Sequence, residues 1–456
     1  MVERWYPSED PTRQRVSWEW AAPSCGNSYL NRAGAKIFRV KRFQEAFRKN
    51  PTIALAVLAV VTLAAALFHL YAVNLLMPRA YSDLTPRIVG TRDALDGVNP
   101  YSAHALHDIQ RTIYGHVLTS ASKDDPQYFS YPALIIPLLI PVTQIPIAAT
   151  SFLFLAVMLP ALAASFWWWT RNLVPDITPK LAACVVILCL SSWPVVWGLR
   201  LQQPTDVAFV LITVALAAVR SRHDWIAGVA FAVAIIKPQI VLPLLLWLGV
   251  WFLRKRRFGI FPAFAATLGA LWLSADRITP GWFIKWIGSL GAYSSLNRPL
   301  AELIFGKWGG IVLIVVAAWL CIRYLWCTLP ADAESAEFLH SAALALAATL
   351  LVVPMRVLFL YDQVLLLPAV LAAITQTSRN GYAPGVRRVI LGCALLSLAL
   401  LIVSAAGEIL QLKGTLWYAL PFLPFPLPVV IVAAVLLSPV RSRVVQLQPE
   451  MASHER

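Results

Sequence analysis

Long uninterrupted apolar segments recur along most of this 456-residue chain and restrict the structures it can form. Segments of about 17 to 25 apolar residues are long enough to cross the hydrocarbon core of a bilayer as an α-helix. Because lipid offers the backbone no hydrogen-bond partner, such segments fold as helices. With 59% hydrophobic and 13% charged residues, the chain has almost no room for a separate soluble domain. We therefore expect an all-α, polytopic membrane protein.

The apolar pattern predicts about twelve membrane-spanning helices within a transmembrane domain over 51–440. Proline removes a backbone hydrogen bond, so the four prolines between 132 and 146 predict an irregular second span. Lys237-Pro238 similarly predicts a broken or re-entrant sixth span, which would reverse the neighbouring loops. The predicted spans are 52–77, 131–147, 149–170, 180–197, 204–220, 225–253, 258–275, 309–326, 338–353, 361–376, 387–405 and 417–438.

The formal net charge of +15 comes from basic residues between and beyond the apolar segments. A cytoplasmic N-terminus places "RKRR" (254–257), "SRNGYAPGVRR" (378–388) and "RSR" (441–443) inside, as the positive-inside rule requires. The charge therefore gives no reason to expect a nucleic-acid partner. Residues 1–50 are expected to form a cytoplasmic tail that ends in an interfacial helix, without the apolar beginning of a signal peptide. Residues 441–456 are expected to form a second cytoplasmic tail.

Two long extracytoplasmic loops are expected, at 78–130 and 276–308, and loops of this length are usually functional. In the first loop, "DLTPRIVGTRDALDG" predicts a short helix over about 86–96 that lies along the membrane surface. Thr85 is expected to cap it before Pro86, and Gly97 to end it.

Asp83 then lies just before a helix N-terminus, where the helix dipole favours an ionised carboxylate. The alternative is that Asp83 is itself the cap, but Pro86 has no N–H group for such a cap to bond. Asp83 is therefore expected to have little structural function.

Several short motifs resemble those of one enzyme family. Asp83-Leu84, Gly97 and Pro100-Tyr101 are followed by "FSYPALIIPLL" (129–139) and "IIKPQIVLPLLLWL" (235–248). This pattern resembles glycosyltransferase family 87, the polyprenyl-phosphate-mannose-dependent mannosyltransferases of the GT-C superfamily. The resemblance continues through "SLNRPLAELIFG" (295–306) and "YDQVLLLPAVLAA" (361–373), whereas the N-terminal extension and "QQPTD" (202–206) depart from the family pattern.

The resemblance implies a GT-C fold with short juxtamembrane helices in the first extracytoplasmic loop. It also implies an integral membrane enzyme, expected in a bacterial plasma membrane, with an active site on the extracytoplasmic side. The enzyme would move a sugar from a polyprenyl-phosphate donor to a glycolipid or glycan acceptor. Mannose is the common sugar of the family, and arabinofuranose and other lipid-linked sugars remain open. Asp83 occupies the position that matches the family's catalytic aspartate.

An inverting transfer needs a base for the acceptor hydroxyl and cationic groups for the departing phosphate. Asp83 is the predicted base, and Asp93 or Asp96 could serve as a second acid. An arginine at the end of a span could instead reach lipid head groups. The predicted ligands of the donor phosphate are Arg298, Arg356, Arg87, Arg92, His104 and His107.

An ionisable side chain at membrane depth, such as that of Lys237, suggests a function. Equally, its ammonium could bond the carbonyls that Pro238 frees, and an interfacial tyrosine could be an anchor. The predicted substrate-binding residues are Tyr101, Lys237, Gln239, Asn297, Tyr361 and Asp362.

The sequence contains no nucleotide-binding loop and no zinc-ligand spacing in a suitable context. We expect no cofactor and no obligatory metal, although acidic residues could hold a divalent ion on the donor phosphate. The main alternative is a transporter or flippase of a lipid-linked sugar or solute. Transporters usually contain internal repeats, and the break near Lys237 has no obvious counterpart elsewhere in the chain. A non-catalytic scaffold is a third alternative.

Overall fold

The computed structural model describes residues 51–76, 82–119, 122, 124–174, 176–294, 300–352 and 360–372. The chain divides into two units, residues 1–54 and 55–456. Of the first unit only the beginning of one helix is described, and all that follows concerns the second. The predicted tails at 1–50 and 441–456 and the predicted spans at 387–405 and 417–438 lie outside the described residues.

The described residues form helices joined by turns and short extended segments, with no β-strand among them. A 3₁₀ helix at Leu360–Leu366 leads into a helical segment at 367–372. The α-helices are α1 Pro51–Leu76, α2 Leu84–Leu95, α3 Ala103–Tyr114, α4 Ile136–Leu139, α5 Ile147–Leu173, α6 Pro179–Leu190, α7 Trp193–Leu201, α8 Pro204–Arg220, α9 Asp224–Ala234, α10 Pro238–Arg254, α11 Ile260–Ile278, α12 Trp282–Ser294, α13 Leu300–Cys327 and α14 Ala336–Val352.

Two helices in the described part of the chain are long and apolar enough to cross a membrane, Ile147–Leu173 and Gly306–Cys327. Helices α6 and α7 could together form a third span, bent by 55°. Most of the other predicted spans correspond to shorter apolar helices. The helical, membrane-protein character of the chain is thus confirmed, whereas the total of about twelve spans stays a prediction.

Both breaks that the prolines predict are present. Two 3₁₀ turns, Ala133–Ile135 and Ile140–Val142, flank the single helical turn of α4, so the predicted second span is irregular. The predicted sixth span is divided into α9 and α10, with Lys237 in a non-helical conformation between them. The break occurs there because Pro238 cannot donate the hydrogen bond that a continuous helix needs.

The second predicted loop, 276–308, is largely helical where the structure describes it. Helix α11 extends to Ile278, α12 occupies much of the segment, and α13 begins before its end. Trp282 and Phe283 of α12 pack against Trp272 of α11, with ring centroids 4.6 and 5.4 Å apart. This aromatic packing stabilises α12 against α11.

The main hydrophobic core lies among α5, α8, α9, α10 and α14. Trp169 is completely buried there, and its indole N–H donates to the hydroxyl of Thr213 at 3.0 Å. Val364 and Leu365 of the 3₁₀ helix are also completely buried in this core. The core therefore fixes the beginning of α8 and α10 relative to the 3₁₀ helix, and these are the elements that carry most of the site.

Candidate active site

Helix α2 begins two residues earlier than predicted, so Asp83 occupies its N-cap position. The expectation that Thr85 caps the helix was wrong, since Thr85 lies inside the first turn and is buried. The Asp83 side chain makes no capping hydrogen bond. Pro86 has no N–H, and the N–H of Thr85 donates to the carbonyl of Ser82 at 3.0 Å. The helix therefore leaves the Asp83 carboxylate available for other contacts.

The predicted end of the helix is confirmed, because Gly97 follows it with a φ of 80°. The position of this helix along the membrane surface stays a prediction. Ile88 is completely buried, and the ring of Phe129 lies so close to Gly90 that a β-carbon there would be 2.5 Å from the Phe129 Cδ2 atom. Ile88 and Gly90 thus pack against protein, whereas Leu95 at the end of the helix is exposed.

Asp83 is held by residues from distant parts of the chain. Its N–H donates to the carbonyl of Leu201 at 3.1 Å, at the end of α7. One carboxylate oxygen, Oδ2, accepts a hydrogen bond from Nε2 of Gln203, the residue before α8. The side chain is half-buried. The corner between α7 and α8 thus fixes the carboxylate while leaving part of it accessible.

Burial raises the pKa of Asp83 from 3.8 to about 6, against the opposing effects of the Arg87 charge and the Gln203 hydrogen bond. The Asp125 carboxylate raises the pKa further, and the Lys237 ammonium lowers it. At neutral pH the carboxylate is therefore mostly ionised, yet it is more basic than an ordinary aspartate. A perturbed carboxyl group of this kind suits general-base catalysis.

Arg87 and Tyr101 support the segment around Asp83. The Arg87 guanidinium donates to the carbonyl of Asp83 at 2.6 Å and to that of Gln202 at 2.5 Å, and it lies 5.0 Å from the centre of the Tyr131 ring. The Tyr101 hydroxyl donates to the carbonyl of Tyr131 at 2.8 Å, and burial raises the pKa of this phenol. Both predicted ligands are thus brought near Asp83, but the contacts described for them are with protein.

A second set of polar side chains joins the beginnings of α8 and α10 to the 3₁₀ helix. The Lys237 ammonium is buried, lies 2.6 Å from an Asp362 oxygen, and also donates to Thr205. The Thr205 hydroxyl in turn donates to Asp362. The Tyr361 ring lies 4.8 Å from the ammonium. Lys237, Tyr361 and Asp362 were predicted to share one site, and the structure brings them together.

Gln203, Thr205 and Asp206 are site residues that the sequence interpretation missed. Asp206 is completely buried, and among the described residues neither of its carboxyl oxygens has a hydrogen-bond partner. The Oε1 atom of Gln203 is likewise buried and without a partner there. The available signal was the polar stretch "QQPTD" directly before an apolar segment, which was noted only as a departure from the family pattern.

The other predicted site residues in the first loop lie apart from these contacts. Arg92 donates to the carbonyls of Thr143 and Ile145 at 2.7 and 3.1 Å, and His104 is exposed beside Asp108 at 3.2 Å. His107 is half-buried on α3.

Three other predicted site residues, Arg298, Arg356 and Asn297, lie outside the described residues. Gln239 is described and is exposed in the first turn of α10.

Asp93 is the acidic residue most similar to Asp83. Burial, followed by the charge of Asp108, raises the pKa of Asp93 to about 6 as well. Its electrostatic neighbours also include His104 and Asp96, so it belongs to a different group of side chains from Asp83. Within the described ranges no group of three or more His, Cys, Asp or Glu residues is arranged to hold a metal ion.

The apolar helices indicate a membrane protein. Its half-buried Asp83 has a raised pKa and interacts electrostatically with the buried Lys237, and such ionisable groups are typical of an enzyme site. Residues 129–354, about half of the chain, match the family model described as glycosyltransferase family 87. The chain belongs to this family and is a glycosyltransferase. The match includes Gln203, Asp206 and Lys237, whereas Asp83 and Asp362 lie outside it. No curated protein and no solved structure matches the chain.

Proposed function

We propose that this glycosyltransferase transfers a sugar, with mannose as the proposed sugar, from a polyprenyl-phosphate donor to a glycolipid or glycan acceptor. The reaction takes place at the extracytoplasmic face of a membrane, with a bacterial plasma membrane as the expected location. The observation that carries the proposal is the Asp83 carboxylate, which caps no helix, remains half-buried and has a pKa raised to about 6.

The proposed chemistry is a single displacement. Asp83 takes the proton of the acceptor hydroxyl as the acceptor oxygen forms a bond to the anomeric carbon of the donor sugar. The bond between that carbon and the phosphate oxygen breaks, and the phosphate leaves with the electron pair. Attack from the side opposite to the leaving group inverts the anomeric configuration.

The departing phosphate needs positive electrostatic potential. Asp83, Gln203 and Lys237 occupy the N-cap positions of α2, α8 and α10, and their contacts bring these three helix ends together. Helix N-termini favour anions, which supports a phosphate donor. Arg87 and Arg92 are engaged with backbone carbonyls, so Arg298 and Arg356 are the arginines we propose for the phosphate.

The direct test uses purified protein in liposomes that contain a radiolabelled polyprenyl-phosphate mannose and a glycolipid acceptor. We expect a new glycolipid whose mass increases by one hexose and whose anomeric configuration, measured by NMR, is inverted. Movement of the donor between leaflets without a new glycosidic bond would instead identify a transporter. A product with retained configuration would exclude the single displacement.

The raised pKa of Asp83 predicts the pH dependence of transfer. Because the base must be deprotonated, kcat/KM should rise with pH and reach half of its plateau near pH 6, where the carboxyl group titrates. The Gln203 hydrogen bond lowers this pKa, so Gln203→Leu should move the midpoint to higher pH. A pH series of initial rates measures both effects, and an unchanged midpoint in the variant would contradict the role of Gln203.

A further inference from the structure

In the part of the chain that the structure describes, three buried hydrogen-bond acceptors at the beginning of α8 have no partner. They are Oε1 of Gln203 and both carboxyl oxygens of Asp206, and each of these two residues is completely buried. A buried acceptor without a donor is costly, and more so when it belongs to a carboxylate. A structure that retains three such atoms in one turn suggests that a ligand supplies the donors.

The two residues are connected to each other and to the proposed base. The Asp206 N–H donates to the carbonyl of Gln203 at 3.2 Å, which links the first turn of α8 to its N-cap residue. The Nε2 atom of Gln203 donates to Asp83, and the unpartnered Oε1 atom belongs to the same amide group. The unpartnered acceptors are therefore part of the same corner as the carboxylate that would accept the proton.

The Asp206 carboxyl group occupies the space that a side chain at Gly198 would take. A β-carbon at Gly198 would lie 2.6 Å from Oδ2 and 2.9 Å from Oδ1 of Asp206, which is closer than real contacts of this kind. Any larger residue at 198 would displace the carboxyl group. The Asp206 carboxyl group can therefore hold this position only because residue 198 of α7 is glycine.

The chemistry of the three atoms limits what can bind them. The Gln203 oxygen can only accept, and the Asp206 carboxyl group accepts in either protonation state, so the ligand must bring at least one O–H or N–H donor. The Lys237 ammonium, although it interacts electrostatically with Asp206, already donates to Thr205 and to Asp362. A fully ionised phosphate has no proton to donate to the Gln203 oxygen. A sugar hydroxyl fits, because it donates and is present on both substrates of a glycosyl transfer.

We propose that Asp206 and Gln203 form a subsite that binds a sugar hydroxyl during transfer and selects sugars that carry it. This inference rests on the proposed function and adds the group that the site recognises. The hydroxyl could belong to the donor sugar or to the acceptor sugar. Both sources offer the same chemistry, so the experiment must separate them.

The experiment combines Asp206→Asn with substrates that lack one hydroxyl each. With the parent substrates we expect the variant to reduce kcat/KM by about 10- to 100-fold, as for a buried hydrogen-bonding group that loses its partner. One deoxy substrate should be poor for the wild-type protein and should lose little further activity with the variant. If this substrate is a donor analogue, the hydroxyl belongs to the donor, and if it is an acceptor analogue, it belongs to the acceptor.

A purely structural role for Asp206 gives a different result. The variant would then reduce transfer by the same factor for the parent and for every deoxy substrate, and that outcome would overturn the proposal. Gly198→Ala provides a second perturbation, since its methyl group should displace the carboxyl group and reproduce the substrate pattern of Asp206→Asn. Thermal unfolding of each variant identifies any loss of folded protein.

Different results would contradict the proposed function and the proposed hydroxyl subsite. Absence of transfer by the wild-type protein in the liposome assay would contradict the proposed function. Transfer by the wild-type protein, with a uniform loss across substrates in Asp206→Asn, would contradict only the hydroxyl subsite.

Discussion

Asp83→Asn should reduce the rate of sugar transfer by about 10²- to 10⁴-fold, the usual contribution of a general base. Asparagine has nearly the same shape as aspartate but cannot take a proton from the acceptor hydroxyl. The Asp83 side chain makes no helix-capping bond, so the substitution should leave the folded structure intact. The measurement is the single-turnover rate in liposomes, together with the thermal unfolding temperature of the purified variant.

Asp93→Asn is the matched control for this experiment. Asp93 lies on the same helix, and burial gives it a similarly raised pKa of about 6, but its electrostatic neighbours are Asp108 and His104. We expect this variant to retain at least a large part of the wild-type rate. Retained transfer in Asp83→Asn, or its loss in Asp93→Asn alone, would show that the base has been misassigned.

The sequence was most informative where the structure depends on residues that are adjacent in the chain. The end of α2 at Gly97 follows from the conformational freedom of glycine, and the break at Lys237 follows from the next residue being proline. The sequence also predicted that the Asp83 side chain would not cap the helix, because Pro86 has no N–H group to donate to it. This conclusion held even though the helix begins earlier than expected.

Contacts between distant segments could not be predicted in the same way. The Gln203 amide meets Asp83 across 120 residues of chain, and the Arg87 guanidinium reaches a carbonyl 115 residues away. From sequence alone Gln203 looks like an ordinary polar residue at a helix end, and Arg87 was predicted to bind the donor phosphate. Arg92 similarly looked like a phosphate ligand, although it donates to backbone carbonyls of the irregular segment beyond the first loop.

Lys237→Met should destabilise the protein by about 3 to 5 kcal/mol, the usual effect of removing one partner from a buried ion pair. The substitution leaves Asp362 buried without its cation, beside an Asp206 that already lacks a hydrogen-bond partner among the described residues. Denaturant or thermal unfolding in detergent micelles measures the loss. Lys255→Met is the matched control, because Lys255 forms a pair of similar length, 2.7 Å, with an Asp332 side chain that is 80% exposed. Its loss should cost about 1 kcal/mol or less.

The double variant Lys237→Met/Asp362→Leu separates stability from catalysis. Replacing both members of a buried pair with apolar residues is often neutral, so the double variant should regain most of the stability that the single variant loses. It should not regain normal transfer. The Lys237 charge lowers the pKa of Asp83, and without it the carboxyl group should hold its proton to higher pH. The midpoint of the pH profile should therefore rise above that of the wild-type protein. A double variant with restored stability and an unchanged pH midpoint would show that Lys237 acts only in folding, whereas a raised midpoint assigns its charge to the ionisation of the base.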